Sequence, residues 1–89
     1  MTTPRKLSEN YVATRVDDEI VLIDMAGGEL FSLGGTARDI WDAIDGNTPV
    51  DTIAQAMAAR YAVEPAEAAA DIADLLAELA AAGLVATGD

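Results

Sequence analysis

The chain holds no histidine and no cysteine. That excludes thiol nucleophiles, disulfides, imidazole acid–base chemistry and zinc sites built from the usual ligands. Carboxylates remain, 16 Asp and Glu against 5 Lys and Arg. Asp42, Asp45 and Asn47 gather near a glycine, but their spacing is not that of a calcium loop. Asp71, Asp74 and Glu78 fall at i, i+3 and i+7, one row on a helix, and the ordinary role of such a row is a solvated face. No nucleotide loop or catalytic triad is present, and Ser8 lies in a polar stretch with no base beside it. The chain therefore reads as a non-enzyme with no cofactor and no metal.

Charge narrows the partners. The net charge is −11, and it is unevenly spread. Arg5, Lys6 and Arg15 stand near the start against the single acid Glu9, whereas from Asp17 onward 2 basic residues face 15 acidic ones, a net of −13. Such a body repels phosphate backbones and anionic membranes and attracts basic peptides or proteins. No run approaches the roughly 20 apolar residues of a membrane span. The polar opening MTTPRKLSEN is unlike a signal peptide. The absence of cysteine suits the reducing cytoplasm, which is the expected location.

The positioning elements follow from periodicity. At 89 residues there is room for one domain with a modest core. Residues 1–10 read as a flexible lead-in and residues 11–86 as the domain. YVATRV (Tyr11 to Val16) and EIVLID (Glu19 to Asp24) are β-branched runs separated by Asp17-Asp18, a tight hairpin. Met25-Ala26-Gly27-Gly28 turns into a third strand, Glu29 to Leu33, with Phe31 and Leu33 on the core face and Leu30 and Ser32 on the other.

Helices come next. Thr36 with Asp39 has capping-box spacing, Ala37, Ile40, Trp41 and Ile44 form one stripe, and Gly46 stops the first helix. Thr48-Pro49 opens the second with Pro at its first position, and Val50, Ile53, Ala54, Met57 and Tyr61 form its stripe. Pro65 opens the third, which runs to about Ala82 with Ala68, Ile72, Leu75, Leu76 and Leu79 inward. Gly83 ends it, and Leu84-Val85 packs back. Strands followed by helices give an α+β fold, a three-stranded antiparallel sheet and a three-helix bundle of winged helix-turn-helix type.

That scaffold commonly reads DNA, but its third helix here carries Glu64, Glu67, Asp71, Asp74 and Glu78 and no base, which excludes it. An acyl or peptidyl carrier is the remote rival, through Ser32-Leu33. Against it, Ser32 lies in a strand pattern and Phe31 stands where an Asp is usual. A generic interaction domain is the bland third reading. The meander suggests a sharper one. Its last strand has a free side, and a peptide can add there as a further strand. Glu29, Leu30, Phe31 and Ser32 would form the floor of the resulting groove, and Ala68, Asp71, Asp74, Leu75 and Glu78 its helical wall.

The string GELFSLGGTARDIWDAIDG, Gly28 to Gly46, resembles the signature of PqqD-like proteins. TPVDTIA (Thr48 to Ala54), Asp71-Ile72 with Leu75-Leu76 and Leu79, and Gly83-Leu84-Val85 continue the likeness over about residues 10–86. The resemblance implies a recognition element for ribosomally made, modified peptides. Such an element binds a precursor's leader segment as a strand beside the third strand, against the third helix, and presents it to a modifying enzyme or leader peptidase. Phe31 matches the second aromatic of the strand motif and Asp71 the acid of the helix. Gly34 departs from the common Asn, and LIDMAGGE lacks the Leu-Leu-x-Pro-Glu-like stretch of the pyrroloquinoline-quinone member. A stand-alone element of the lasso-peptide type is therefore favoured over a PqqD-type chaperone of another pathway.

The carrier reading is tested directly. Incubated with coenzyme A and a phosphopantetheinyl transferase, the chain is expected to keep its mass; a gain on Ser32 would overturn the peptide-binding reading.

Overall fold

The structure is a computed structural model and describes residues 3–87. The elements run β1 (Arg5–Lys6), a 3-10 turn (Ser8–Asn10), β2 (Tyr11–Val16), β3 (Glu19–Asp24), β4 (Leu30–Leu33), α1 (Thr36–Ala43), α2 (Val50–Tyr61), α3 (Pro65–Ala81) and β5 (Val85–Ala86). Strands β2, β3 and β4 form an antiparallel meander in that order, and β1 pairs with β5 in a separate two-stranded sheet. The fold is α+β, with three helices on the three-stranded sheet. Among the described residues no helix is long and apolar enough to cross a membrane.

Alternation sets the sheet's two faces. Ile20 pairs with Leu33 and Leu22 with Phe31, all pointing inward, while Val21 opposite Ser32 and Ile23 opposite Leu30 point outward. Ile20, Leu22 and Leu33 are buried, and Phe31 is half-buried against the core. The first hairpin turns through Asp17 and Asp18 as its spacing predicts, with Asp17 in the left-handed region. The second is held by buried Asp24, whose carboxylate accepts from the Ala26 and Gly27 amides at 3.1 and 3.2 Å.

Ile40, Trp41 and Ile44 come in from α1 and its C-cap, Ile53, Ala54 and Met57 from α2, and Ile72, Leu76 and Leu79 from α3. These are the stripes read from the sequence, with one difference. Tyr61 is 39% exposed, although its hydroxyl donates to buried Asp39.

The helix starts also differ from the expected ones. Gly35, not Thr36, caps α1, at φ 57° and ψ −126°, a conformation that a residue with a Cβ scarcely adopts. The chain therefore enters α1 one residue early, and Asp39 does not complete a capping box. Pro49 is the N-cap of α2, not its first helical residue. The first helix ends at Ala43, before Gly46, with Ile44 already extended. The Asp45 carboxylate then organises the α1–α2 turn, accepting at 2.8 Å from the amides of both Asn47 and Thr48. The Thr48 hydroxyl donates to the same carboxylate at 3.0 Å, and among the described residues no acidic cluster has the geometry to hold a metal.

The expected lead-in is the largest difference. Residues 1 and 2 lie outside the described residues, but from Thr3 the segment is part of the fold. Pro4 is fully buried, Arg5 pairs with Ala86 and Lys6 with Val85, and the Leu7 amide donates to the Leu84 carbonyl at 2.9 Å. Lys6 Nζ sits 4.6 Å from the centre of the Trp41 ring, and Tyr11 meets the same ring edge-on at 5.3 Å. A two-residue strand has no period to read, and its partner lies at the far end of the chain.

Ala62 caps α2 in the left-handed conformation, at φ 56° and ψ 42°, and is exposed. A side chain there costs on the order of 1 kcal/mol relative to glycine. Ala62→Gly is therefore expected to raise the thermal midpoint by about 4 °C, measured by circular dichroism; an unchanged or lower midpoint would count against the cap.

Candidate functional site

Strand β4 has a partner on one side only. The Asp24 amide donates to the Glu29 carbonyl at 2.8 Å, which makes that opposed pair a hydrogen-bonded one. In an antiparallel ladder bonded and non-bonded pairs alternate. Leu22–Phe31 and Ile20–Leu33 are then the bonded pairs. The amides and carbonyls of Leu30 and Ser32 point the other way, to the outer edge of β4. Neither β1 nor β5 covers that edge, because they pair with each other. Among the described residues the edge is free.

The edge faces α3 across a cleft. Burial of Ile72, Leu76 and Leu79 fixes the rotation of α3, so that the adjacent side bears Ala68, Asp71, Leu75, Glu78 and Ala82. Glu29 and Phe31 meet Glu78, Ala81 and Ala82 around a cavity of about 390 Å³. At the other end of this helical side, Ala68 and Asp71 join Thr36, Ile40, Met57, Tyr61 and Val63 around a second cavity of about 310 Å³. Leu75, half-buried, lies between the two on the same side of α3. Every charged group lining the two cavities is an acid: Glu29 and Glu78 at one, Asp71 at the other.

The nine residues expected from the sequence therefore divide. The structure brings Glu29, Phe31, Ala68, Asp71, Leu75 and Glu78 to the cleft. Leu30 and Ser32 offer it their backbone only; Leu30 is exposed on the opposite face, and Ser32 Oγ donates to Glu19. Asp74 is exposed beside the wall and lines neither cavity. Ser32 is inside a strand and not at a helix start, which removes the geometry a carrier protein needs. Sequence reasoning missed Ala82, which repeats the Ala68 position two heptads on. It also missed the second cavity, whose lining comes from three helices and the segment that connects α2 to α3.

A polar network backs the second cavity. Asp39, only 7% exposed, accepts a hydrogen bond from Tyr61 and pairs with Arg38 Nη2 at 3.3 Å and Arg60 Nε at 3.7 Å. The Tyr61 hydrogen bond, with the two guanidinium groups, holds the Asp39 carboxyl below the usual carboxylate range, against the opposing effect of desolvation. The same bond pushes the Tyr61 phenol up. This network ties α1 to α2 and sets where the Tyr61 ring stands at the cavity rim.

The free strand edge, the helix standing off it and the acids lining the two cavities form one groove. The chain belongs to the PqqD family, described as coenzyme PQQ synthesis protein D, whose profile matches residues 19–85. Two solved structures share its fold. TbiB1 in complex with the TbiA(beta) leader peptide is 29% identical, with a TM-score of 0.82 over 94% of this chain and 99% of that one. A lasso peptide synthetase B1 complexed with the leader peptide is 27% identical, with a TM-score of 0.83 over 94% and 98%. No curated protein matches the chain.

A depressed carboxyl pKa contributes stability above the unfolded-state value, about 3.9 for Asp, and loses it as pH falls through the folded value. The difference in thermal midpoint between the native chain and Asp39→Asn is therefore expected to be open at pH 6 and to close below about pH 4. A gap that stays constant through acid would show that the carboxylate charge does not hold the network.

Proposed function

We propose that this chain is a non-catalytic adaptor in lasso-peptide-type biosynthesis. It binds the leader segment of a ribosomally made precursor along the outer edge of β4 and presents it to a leader peptidase or another modifying enzyme. The observation that carries this is the unpaired edge of β4 facing the Ala68–Glu78 side of α3. The likeness to two leader-bound lasso proteins over nearly the whole chain supports it. The scaffold is read as a winged helix-turn-helix turned from nucleic acid to peptide, working in the cytoplasm.

Magnitudes divide the work between backbone and side chains. Leu30 and Ser32 offer four backbone groups, and each hydrogen bond contributes about 0.5–1.5 kcal/mol net. Micromolar affinity needs about 8 kcal/mol beyond the cost of ordering the peptide. Backbone pairing alone falls short, so apolar anchors must enter the two cavities at alternate positions of the added strand. Asp71, Glu78 and Glu29 then favour Lys or Arg in the leader. These are exposed pairs worth roughly 0–1 kcal/mol each and sensitive to salt.

Leu75→Asp is expected to weaken binding of a fluorescently labelled leader by on the order of 2–4 kcal/mol, the cost of losing a buried anchor. Phe31→Ala is expected to do the same, read beside a thermal melt because Phe31 also packs on the core. Asp74→Asn should change binding by less than about 1 kcal/mol. Amide exchange should slow at Leu30 and Ser32 when leader binds, with Phe31 and Leu33 already protected by β3. Tight binding with unaltered exchange at Leu30 and Ser32 would falsify strand addition at this edge.

A further inference from the structure

The β2–β3–β4 meander has a second open edge. The Met25 amide donates to the Asn10 carbonyl at 3.0 Å, so that opposed pair is a bonded one. Alternation then makes Val12–Ile23, Thr14–Val21 and Val16–Glu19 the bonded pairs of the β2–β3 ladder. The amides and carbonyls of Tyr11, Ala13 and Arg15 point away from β3, and among the described residues no other strand pairs with β2. The side chains of these three are on the inward face, opposite Asp24, Leu22 and Ile20. This edge faces α1 as the β4 edge faces α3: Ala13, Thr14, Arg15 and Ile20 meet Trp41 around a cavity of about 140 Å³. Its charge is the reverse of the leader groove's. Lys6 Nζ lies over the Trp41 ring, and Arg5 and Lys6 line the neighbouring cavity beside Ile44 and Asp45. With Arg15 they are three of the five cations of the chain. Asp42 is taken by Arg15 at 2.6 Å and Asp45 by the α1–α2 turn, and among the described residues Arg5 and Lys6 make no ion pair. Burial lowers the Lys6 pKa from the ordinary lysine value; Asp42 opposes this, Arg15 adds to it, and Asp45 opposes it. A desolvated ammonium without a counter-ion is a cost that an incoming carboxylate relieves.

We propose that the β2 edge takes up an extended acidic segment of a partner protein, which pairs with Tyr11, Ala13 and Arg15 as a further strand and turns carboxylates inward to Lys6 and Arg15. Pairing with the outward backbone groups of these three sets alternate side chains of the newcomer on their face, at the Trp41 cavity. An inward-pointing charge on an edge strand bars an apolar newcomer; Arg15 does so here and leaves the edge to an acidic one. A second copy is disfavoured, because its β2 would bring cations to cations. Glu9 precedes the strand and Asp17-Asp18 follow it, which confines the match to its middle. The α3 acids lie beyond β4, at least two strand spacings or about 10 Å away. That exceeds the Debye length of about 8 Å at physiological salt, so they are screened where the adjacent cations are not. Strand β3 separates this edge from the leader groove, so both can be occupied at once and neither reading depends on the other.

The test titrates the isotopically labelled full chain with millimolar capped peptides at physiological salt and follows its backbone amides by NMR. The peptide TETETET is expected to shift Tyr11, Ala13 and Arg15 and to perturb the indole of Trp41, the single tryptophan. TKTKTKT and TQTQTQT are expected to leave these signals in place. Ala13→Pro removes one outward amide and spares the β2–β3 ladder, at a position where an edge strand tolerates proline. It is expected to abolish TETETET binding while the amide signals of β3, β4 and the helices stay in place. Lys6→Gln, which leaves the edge intact, is expected to weaken TETETET binding about threefold, and it carries the test should the proline variant unfold. No shift at the β2 edge with TETETET, or equal shifts with all three peptides, would overturn the proposal. So would a native chain that sediments as a dimer and becomes a monomer on Ala13→Pro, which assigns the edge to self-association.

Discussion

Burial of one stripe of α3 governs the rest of the molecule. Ile72, Leu76 and Leu79 are 0–4% exposed, and a helix so anchored has no rotational freedom left. The side that carries Ala68, Asp71, Leu75 and Glu78 is thereby turned to the β4 edge. Small residues at the end of this helix, Ala81 and Ala82, keep the cleft open where longer side chains would fill it.

The second determinant is a pairing that the molecule makes elsewhere. Sheet edges are ordinarily covered, because unused backbone groups invite aggregation. Here the candidates for covering β4 are the two chain ends, and they are joined to each other: Arg5–Lys6 to Val85–Ala86. The pairing is fastened by Pro4 and Leu84, both fully buried, and by the Lys6–Trp41 contact. It holds α3 at its C-terminal end and, among the described residues, leaves the outer edge of β4 free. The short strand and the acidic wall are features that disfavour indiscriminate pairing at that edge.

Charge and apolar surface divide the binding duties. In the proposed complex, acids on the helix wall and around the cavities would select and steer, the apolar cavities would hold, and the backbone of Leu30 and Ser32 would set register. The Asp39–Tyr61–Arg60 network locates the ring that rims the second cavity.

Composition and period were enough for much of this. The lack of His and Cys, the acidic body, the three strands with Phe31 and Leu33 inward, and the three helical stripes all lie in local spacing, because alternation and the 3.6-residue turn are properties of single segments. That Ala68, Asp71, Leu75 and Glu78 share one side of α3 is legible for the same reason. What lay beyond reach depends on residues distant in sequence. The opening segment reads as polar filler until Arg5 meets Ala86. Asp39 reads as a cap until Gly35 starts the helix and the carboxylate turns to Tyr61. Leu30 and Ser32 read as groove side chains until the ladder register shows that only their backbone faces the edge. Pairing register and inter-helix cavities are decided by which segments compete for the same partner, and only the folded chain resolves that competition.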